Sequence, residues 1–482
     1  MKKITLLFIL AILGHAHLSF AGSGYHITLH MPDATDSKVY LVHYYGTPGP
    51  KVYISDSANF ENGTAVFKST DPDFVGGIYI MLLSTKRKSF EFMLNKGDEI
   101  TINASEAKLP EGITFKGSPE NTRFEEYLKY LKGNAAKEEG YKKELEEAKT
   151  AADTADIRSR ATVSNKELIQ YRRDYYNKYP GTLLATIFKA MELPEIPEGV
   201  HYLEDGVTKD SVFPYHYYKA HYWDGFNFHD DRLIYTPLYD GKLEEYFSKW
   251  VQPESDSLEK ESDMLLEKAR GTKDVFHYTL WWLSQHFETS KIMGMDEVFV
   301  YIIEKYYMKG DATWLSTEDL NKYIDRAQKI APNVLGNKGP EINLPNIKTG
   351  KEESMLDMKA KYTLIVFYSP SCGHCQHEMP LLDSVYRAVL KDKGVKVYTV
   401  ATEGEEKEIN AFLAKNKIED WSNHWDHEHT SDYHSKYDVY STPTIYLLDE
   451  KKIIKGKRLD HTNLVRMIDI LDSEAKSKAA KK

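Results

Sequence analysis

Only two cysteines occur in the 482 residues, and both lie in one short stretch, YSPSCGHCQHEMP, running from Tyr368 to Pro380. Gly373 and His374 separate Cys372 from Cys375, and His377 and Glu378 follow closely. Two thiols at this spacing support three chemistries: a redox pair, half of a metal site, or a structural staple. The thiolate is the form that attacks a disulfide, and CxxC placement lowers a cysteine pKa from about 8.5 into a range of about 3.5–7.5. A residue heading a helix meets unpaired backbone N–H groups and the positive end of the helix dipole, and both favour the thiolate. Cys372 stands at such a place, after the apolar run YTLIVFY and before a helical stretch read from Glu378 to Leu390. Cys375, one turn on, is placed to resolve a mixed disulfide. Gly373 permits a tight approach. His374 adds positive charge beside the thiolate when protonated and orients a hydrogen bond when neutral. Either effect stabilises the reduced pair and makes the couple more oxidising.

A zinc site needs four ligands. His374, His377 or the distant run HWDHEH (His424 to His429) would have to complete it, and no second cysteine pair stands at finger-like spacing. That run reads instead as a solvated loop before a helix, and no metal is expected. A staple is also disfavoured. Several hundred residues bury ample core without one, and a chain dependent on disulfides carries more than one pair. Dithiol chemistry requires no cofactor.

The elements that must position these thiols fall into three regimes. Residues 1–21, MKKITLLFILAILGHAHLSFA, have the layout of a secretory signal peptide: two lysines, an apolar run from Ile4 to Leu13, then small residues at Ser19 and Ala21. The apolar run is too short to span a bilayer, and the mature chain is expected to be exported, with no transmembrane segment. Export makes disulfide chemistry available. The formal charge of −10 becomes −12 once Lys2 and Lys3 leave with the signal, which argues against nucleic acid or an anionic membrane as a partner.

From 22 to 117, short alternating runs (YHITLHM, KVYLVHYY, GTAVFKS, SFEFML) separated by turns such as Asn62-Gly63 predict an antiparallel sandwich or barrel. From 118 to 335 the period becomes helical, beginning with Ser118 as N-cap and Pro119 in the first turn. This all-α region includes an aromatic-rich segment, 214–239, read as a loop, with His216, His221 and His229 among its tyrosines. Their spacing matches no ligand pattern. From 336 to 473 strands alternate with helices, which predicts an α/β sheet. Residues 474–482 read as a disordered tail.

Strand–SPSCGHC–helix, followed by STPT just before a strand, resembles the thioredoxin superfamily, and within it the exported TlpA/ResA-like thiol:disulfide oxidoreductases. The CGHC tetrapeptide is that of protein disulfide isomerases. The resemblance covers about 336–471 and implies a thioredoxin-like fold for the C-terminal region. It places the superfamily's cis-proline at Pro443, with Thr442 pairing to a bound substrate strand. Pro380 falls where relatives have a helix-kinking proline. Glu378 matches the glutamate of CxxCxxE, which in the ResA-like branch tunes the cysteines. Two positions depart from the pattern: Val366 replaces the buried aspartate of plain thioredoxins, and Ser371 replaces a common tryptophan. The preceding regions resemble those fused to such modules in envelope proteins of Bacteroidetes-type bacteria, which implies no activity for them.

Two classes of function follow. One is an exported thiol:disulfide oxidoreductase of the periplasm or cell envelope, with catalytic Cys372 and Cys375 assisted by His374 and Glu378. Thr442 and Pro443 would receive thiol or disulfide protein substrates, and an upstream thiol donor or an oxidant would reset the pair. The direction is open between reduction and isomerisation, because the family suggests a reductase whereas CGHC suggests a couple nearer about −180 mV than thioredoxin's about −270 mV. The alternative is an envelope binding or scaffold protein in which residues 22–335 recognise a partner.

Overall fold

The computed structural model describes residues 24–46, 52–83 and 88–480. The expected signal segment lies outside them. The described chain forms two compact units. One extends to Trp250 and includes Lys268–Tyr278, and the other comprises Val251–Glu267 and Thr279–Lys482.

The first unit opens with β1 (Tyr25–His30), β2 (Lys38–His43), β3 (Tyr53–Asn59), β4 (Thr64–Ser69), β5 (Gly77–Leu83), β6 (Ser89–Leu94), β7 (Asp98–Asn103) and β8 (Thr114–Lys116). They form two four-stranded sheets, ordered β4-β1-β7-β8 and β3-β2-β5-β6. Alternation in β1 buries Tyr25, Ile27 and Leu29 with Phe67, Tyr79, Phe92 and Ile100 in one core. The sheets are not wholly antiparallel, because β1 and β7 pair in parallel. The chain between them makes a long excursion that includes every strand of the other sheet, as a parallel pairing requires.

Helices α1 (Pro119–Glu147), α2 (Ala151–Lys178), α3 (Leu183–Ala190), α4 (Phe213–His221) and α5 (Tyr239–Glu245) follow. The Ser118 side chain caps α1 by accepting from the Asn121 N–H. The aromatic segment 214–239 is not simply a loop: α4 takes up its first part, with Pro214 in the opening turn. Trp223, Phe226, Phe228 and Tyr239 then bury one another. His221 lies 2.7 Å from Asp224, and no three His, Cys, Asp or Glu side chains among the described residues converge as metal ligands.

Beyond these come α6 (Ser255–Ala269), α7 (Asp274–Glu288), α8 (Met295–Ile302) and α9 (Thr317–Ile330). The rest of the second unit is α/β: β9 (Asn343–Pro345), β10 (Glu352–Ser354), β11 (Tyr362–Tyr368), α10 (Gly373–Val385), β12 (Val395–Ala401), α11 (Glu406–Asn416), β13 (Ser422–Trp425), α12 (Tyr433–Tyr437), β14 (Thr444–Asp449), β15 (Ile454–Lys457) and α13 (Leu464–Ala480). Five strands form one sheet in the order β13-β12-β11-β14-β15. β11 runs parallel to β12 and antiparallel to β14. Every residue of β11 is buried. Leu364, Val366 and Tyr368 pack with Met379, Leu382 and Ile468, while Ile365 and Phe367 pack with Tyr398, Tyr437 and Tyr446. Burial on both faces explains the unbroken apolar run. The C-terminal domain is thioredoxin-like.

Two expectations in this region are corrected. HWDHEH does not begin as a solvated loop: His424 is in β13, fully buried, stacked 3.8 Å from the Tyr398 ring and hydrogen-bonded to the Thr399 carbonyl. Polar neighbours hid a short inner strand from a pattern reading. The tail, read as disordered from 474, is helical to Ala480. Alanine, lysine and glutamate are strong helix formers and simply extend α13.

One charged pair ties β15 to α8. Lys457 and Asp296 are both buried and stand 2.5 Å apart. Lys457 also donates to the Asn333 carbonyl and side-chain oxygens at 3.2 and 3.0 Å. Coulombic attraction is the larger part of the Lys457–Asp296 contact and a hydrogen bond the smaller. Burial lowers the Lys457 pKa and the Asp296 carboxylate opposes that shift.

Candidate active site: the Cys372–Cys375 pair

Strand β11 ends at Tyr368, the buried Ser369, the partly buried Pro370 and the exposed Ser371 turn the chain, and Cys372 becomes the N-cap of α10. Both cysteines are free thiols, with Cys372 partly exposed and Cys375 fully buried. Their environments push them apart. Partial burial resists ionisation of Cys372, but hydrogen bonding from the Thr442 side chain, from Cys375 and from the His374 backbone N–H outweighs it and lowers the pKa. As a thiol, Cys372 donates to the Thr442 carbonyl at 3.0 Å. Burial pushes Cys375 up to about 12. One thiol is therefore primed to attack while the other stays protonated, the asymmetry a two-step exchange needs.

This asymmetry has a direct readout. Iodoacetamide is expected to modify Cys372 with a midpoint below the about 8.5 of an ordinary thiol, while Cys375 resists until the pH approaches about 12. Equal profiles for the two thiols would contradict the assigned environments.

The Thr442–Pro443 peptide is cis, and this turn, 70 residues away in sequence, is what meets the Cys372 sulfur. The structure therefore brings Cys372, Cys375, Thr442 and Pro443 together. His374 is exposed, and its contribution to Cys372 comes from its backbone N–H rather than from its ring. Gly373 is not required for close approach: a Cβ there would meet nothing within 4 Å. Pro380 lies inside α10 on its exposed side, leaving the Gln376 carbonyl without its usual helical donor.

Glu378 has another partner than the cysteines. Its side chain is 14% exposed and holds His461, accepting from the His461 backbone N–H at 2.7 Å and lying 2.9 Å from Nδ1. The contact pins the turn between β15 and α13 beside α10. Val366, at the place of the thioredoxin aspartate, is buried and apolar. Two residues on, Tyr368 is fully buried, stacks on Phe412 at 5.1 Å, and its pKa is raised by burial and by Cys375. Neither His461 nor Tyr368 is marked as special by sequence, since each acquires its role only through folding.

Residues 335–457 match the AhpC/TSA family. Residues 25–124 and 139–333 match two domains of unknown function, DUF4369 and DUF5106. The thioredoxin-like protein YneN of Bacillus subtilis is 28% identical over 147 residues, which cover 28% of this chain and 77% of that protein. The thiol-disulfide oxidoreductase ResA of Oceanobacillus iheyensis is 25% identical over 129 residues, covering 25% of this chain and 65% of that one. Among solved structures, a domain of a possible thiol-disulfide isomerase from Cytophaga hutchinsonii is 34% identical, covers 30% of this chain and 99% of its own, and superposes with a TM-score of 0.29. The cysteine environments and the likenesses to YneN and ResA point the same way: residues 335–457 match the thioredoxin-like AhpC/TSA family, and this C-terminal domain is a thiol:disulfide oxidoreductase domain.

Proposed function

We propose that the chain exchanges disulfides with protein substrates in the cell envelope through its CGHC pair. The observation that carries this reading is the opposed environment of the two thiols, Cys372 favoured as thiolate and Cys375 held protonated. In the reducing direction, the Cys372 thiolate attacks one sulfur of a substrate disulfide. The S–S bond breaks, the departing substrate thiolate takes up a proton, and a mixed disulfide forms on Cys372. Cys375 then loses its proton and attacks the Cys372 sulfur, releasing the second substrate thiol and closing the Cys372–Cys375 disulfide. Two electrons pass to the substrate, and an external dithiol must return them. The reverse sequence oxidises a substrate dithiol. Thr442 and Pro443 form the ledge on which the substrate segment rests, and Glu378 supports the site through His461.

No helix among the described residues is long and apolar enough to cross a membrane. The signal-like residues 1–21 support export, and the envelope supplies disulfide-bearing substrates.

Trapping tests the reading. With Cys375→Ala the second attack is removed, so full-length protein expressed in its native envelope should accumulate mixed disulfides on Cys372 that dithiothreitol releases. The reading fails if the purified wild-type chain exchanges neither a small-molecule nor a protein disulfide.

A further inference from the structure

Tyr440 lies two residues before Thr442 and is 60% exposed, in a fold whose other large rings near this turn, Tyr433, Tyr437 and Tyr446, are buried. Single exposed aromatic residues are ordinary on protein surfaces, but this one is held in place. The His434 ring stands 5.5 Å from it, and His434 Nδ1 is itself fixed 2.5 Å from the Val439 carbonyl. From α9, the Arg326 guanidinium lies 5.9 Å and the Lys329 ammonium 5.8 Å from the Tyr440 ring centroid, within cation–π range.

The backbone under Tyr440 is equally constrained. Asp438 has a left-handed φ of 50° and a side chain only 1% exposed. Arg326 grips its carboxylate with both terminal nitrogens, one at 3.2 Å. Arg458 adds a contact at 2.9 Å, and Glu288 holds the Arg326 Nε at 3.0 Å. Helix α9 thus anchors the start of the segment that runs through Tyr440 to the cis turn. Lys329 has no carboxylate partner among the described residues. A fixed aromatic face beside an unpaired cation, next to the turn that contacts Cys372, is the composition of an interface anchor. Tyrosine supplies such area at low entropic cost because it has few rotatable bonds.

We propose that Tyr440 and Lys329 form a substrate-docking patch that selects extended polypeptide segments carrying an apolar side chain close to their reactive cysteine and a carboxylate beyond it. This rests on the oxidoreductase reading and adds a substrate preference to it. Arg326 acts as a positioning residue, through Asp438.

The test uses the full chain and disulfide-linked synthetic peptides that differ at one position two residues from the cysteine, leucine or glycine, and at a flanking position, aspartate or lysine. Wild type should prefer the leucine peptide. Tyr440→Ala should lower the leucine-to-glycine ratio of kcat/KM by about tenfold, mainly through KM, and Tyr440→Phe should restore it. Lys329→Glu should reverse the preference between the aspartate and lysine peptides. A general structural defect lowers all rates together and leaves both ratios unmoved, so unchanged ratios overturn the docking patch while leaving the oxidoreductase intact. A wild-type protein that exchanges with none of the peptides and with no small-molecule disulfide overturns the oxidoreductase reading, and the patch with it.

Discussion

Replacing Cys372 with serine should lower thiol–disulfide exchange by at least about 10³-fold, to the rate of the uncatalysed reaction with the same disulfide. A serine hydroxyl at this position keeps the helix N-cap but cannot ionise near neutral pH. The hydrogen bonding from Thr442, Cys375 and His374 that lowers the Cys372 pKa would then have no thiolate to stabilise. Cys375 cannot substitute as the attacking group, because it is fully buried and its pKa is pushed up to about 12. The measurement is turnover of a chromogenic disulfide at pH 7 with excess dithiol, wild type against Cys372→Ser, with circular dichroism to show that the fold persists. Residual turnover near the wild-type level would place the nucleophile elsewhere. Since the chain has no third cysteine, it would also end the dithiol mechanism.

Asp296→Ala should destabilise the second unit by about 3–5 kcal/mol, because it leaves the Lys457 ammonium buried without its counter-charge. For a unit of this size that corresponds to a fall in Tm of about 10 °C. Lys457 has little scope to escape: its side chain is 3% exposed, and Asn333 supplies its other hydrogen bonds. Its pKa is already lowered by burial, and losing Asp296 lowers it further, so the variant should regain part of its stability as alkaline pH neutralises the lysine. Replacing both partners with apolar residues, Asp296→Leu with Lys457→Met, should recover most of the loss, since neither desolvated charge then remains. Thermal and urea denaturation of the three variants check this, and a single-variant cost under about 1 kcal/mol would show that the pair is dispensable.

These two predictions differ in how far sequence alone could carry them. The Cys372 argument begins within thirteen residues. A buried strand, a tight turn and a helix start are local patterns, and they were enough to place a thiolate at a helix N-terminus with a second thiol one turn later. The strand YTLIVFY shows its burial on both faces in its own composition, and α1 shows its cap in Ser118. The resemblance of STPT to the cis-proline turn supplied what local patterns cannot, namely that Thr442 stands against Cys372.

Other features depended on contacts between residues far apart in the chain. Glu378 reads as a partner for the cysteine one turn before it, yet folding brings His461 to its carboxylate from 83 residues away. His424 sits in a run of polar and charged residues, and only its place between β12 and the β9–β10 hairpin makes it a core residue. Nothing near Tyr440 announces that Arg326, 112 residues before Asp438, holds the turn beneath it. In YSPSCGHCQHEMP the sequence determined which atoms can react, because ionisable type, spacing and helix position are local properties. Only the tertiary structure decided how the two thiols differ, since burial and hydrogen bonding from distant segments set their opposite pKa shifts.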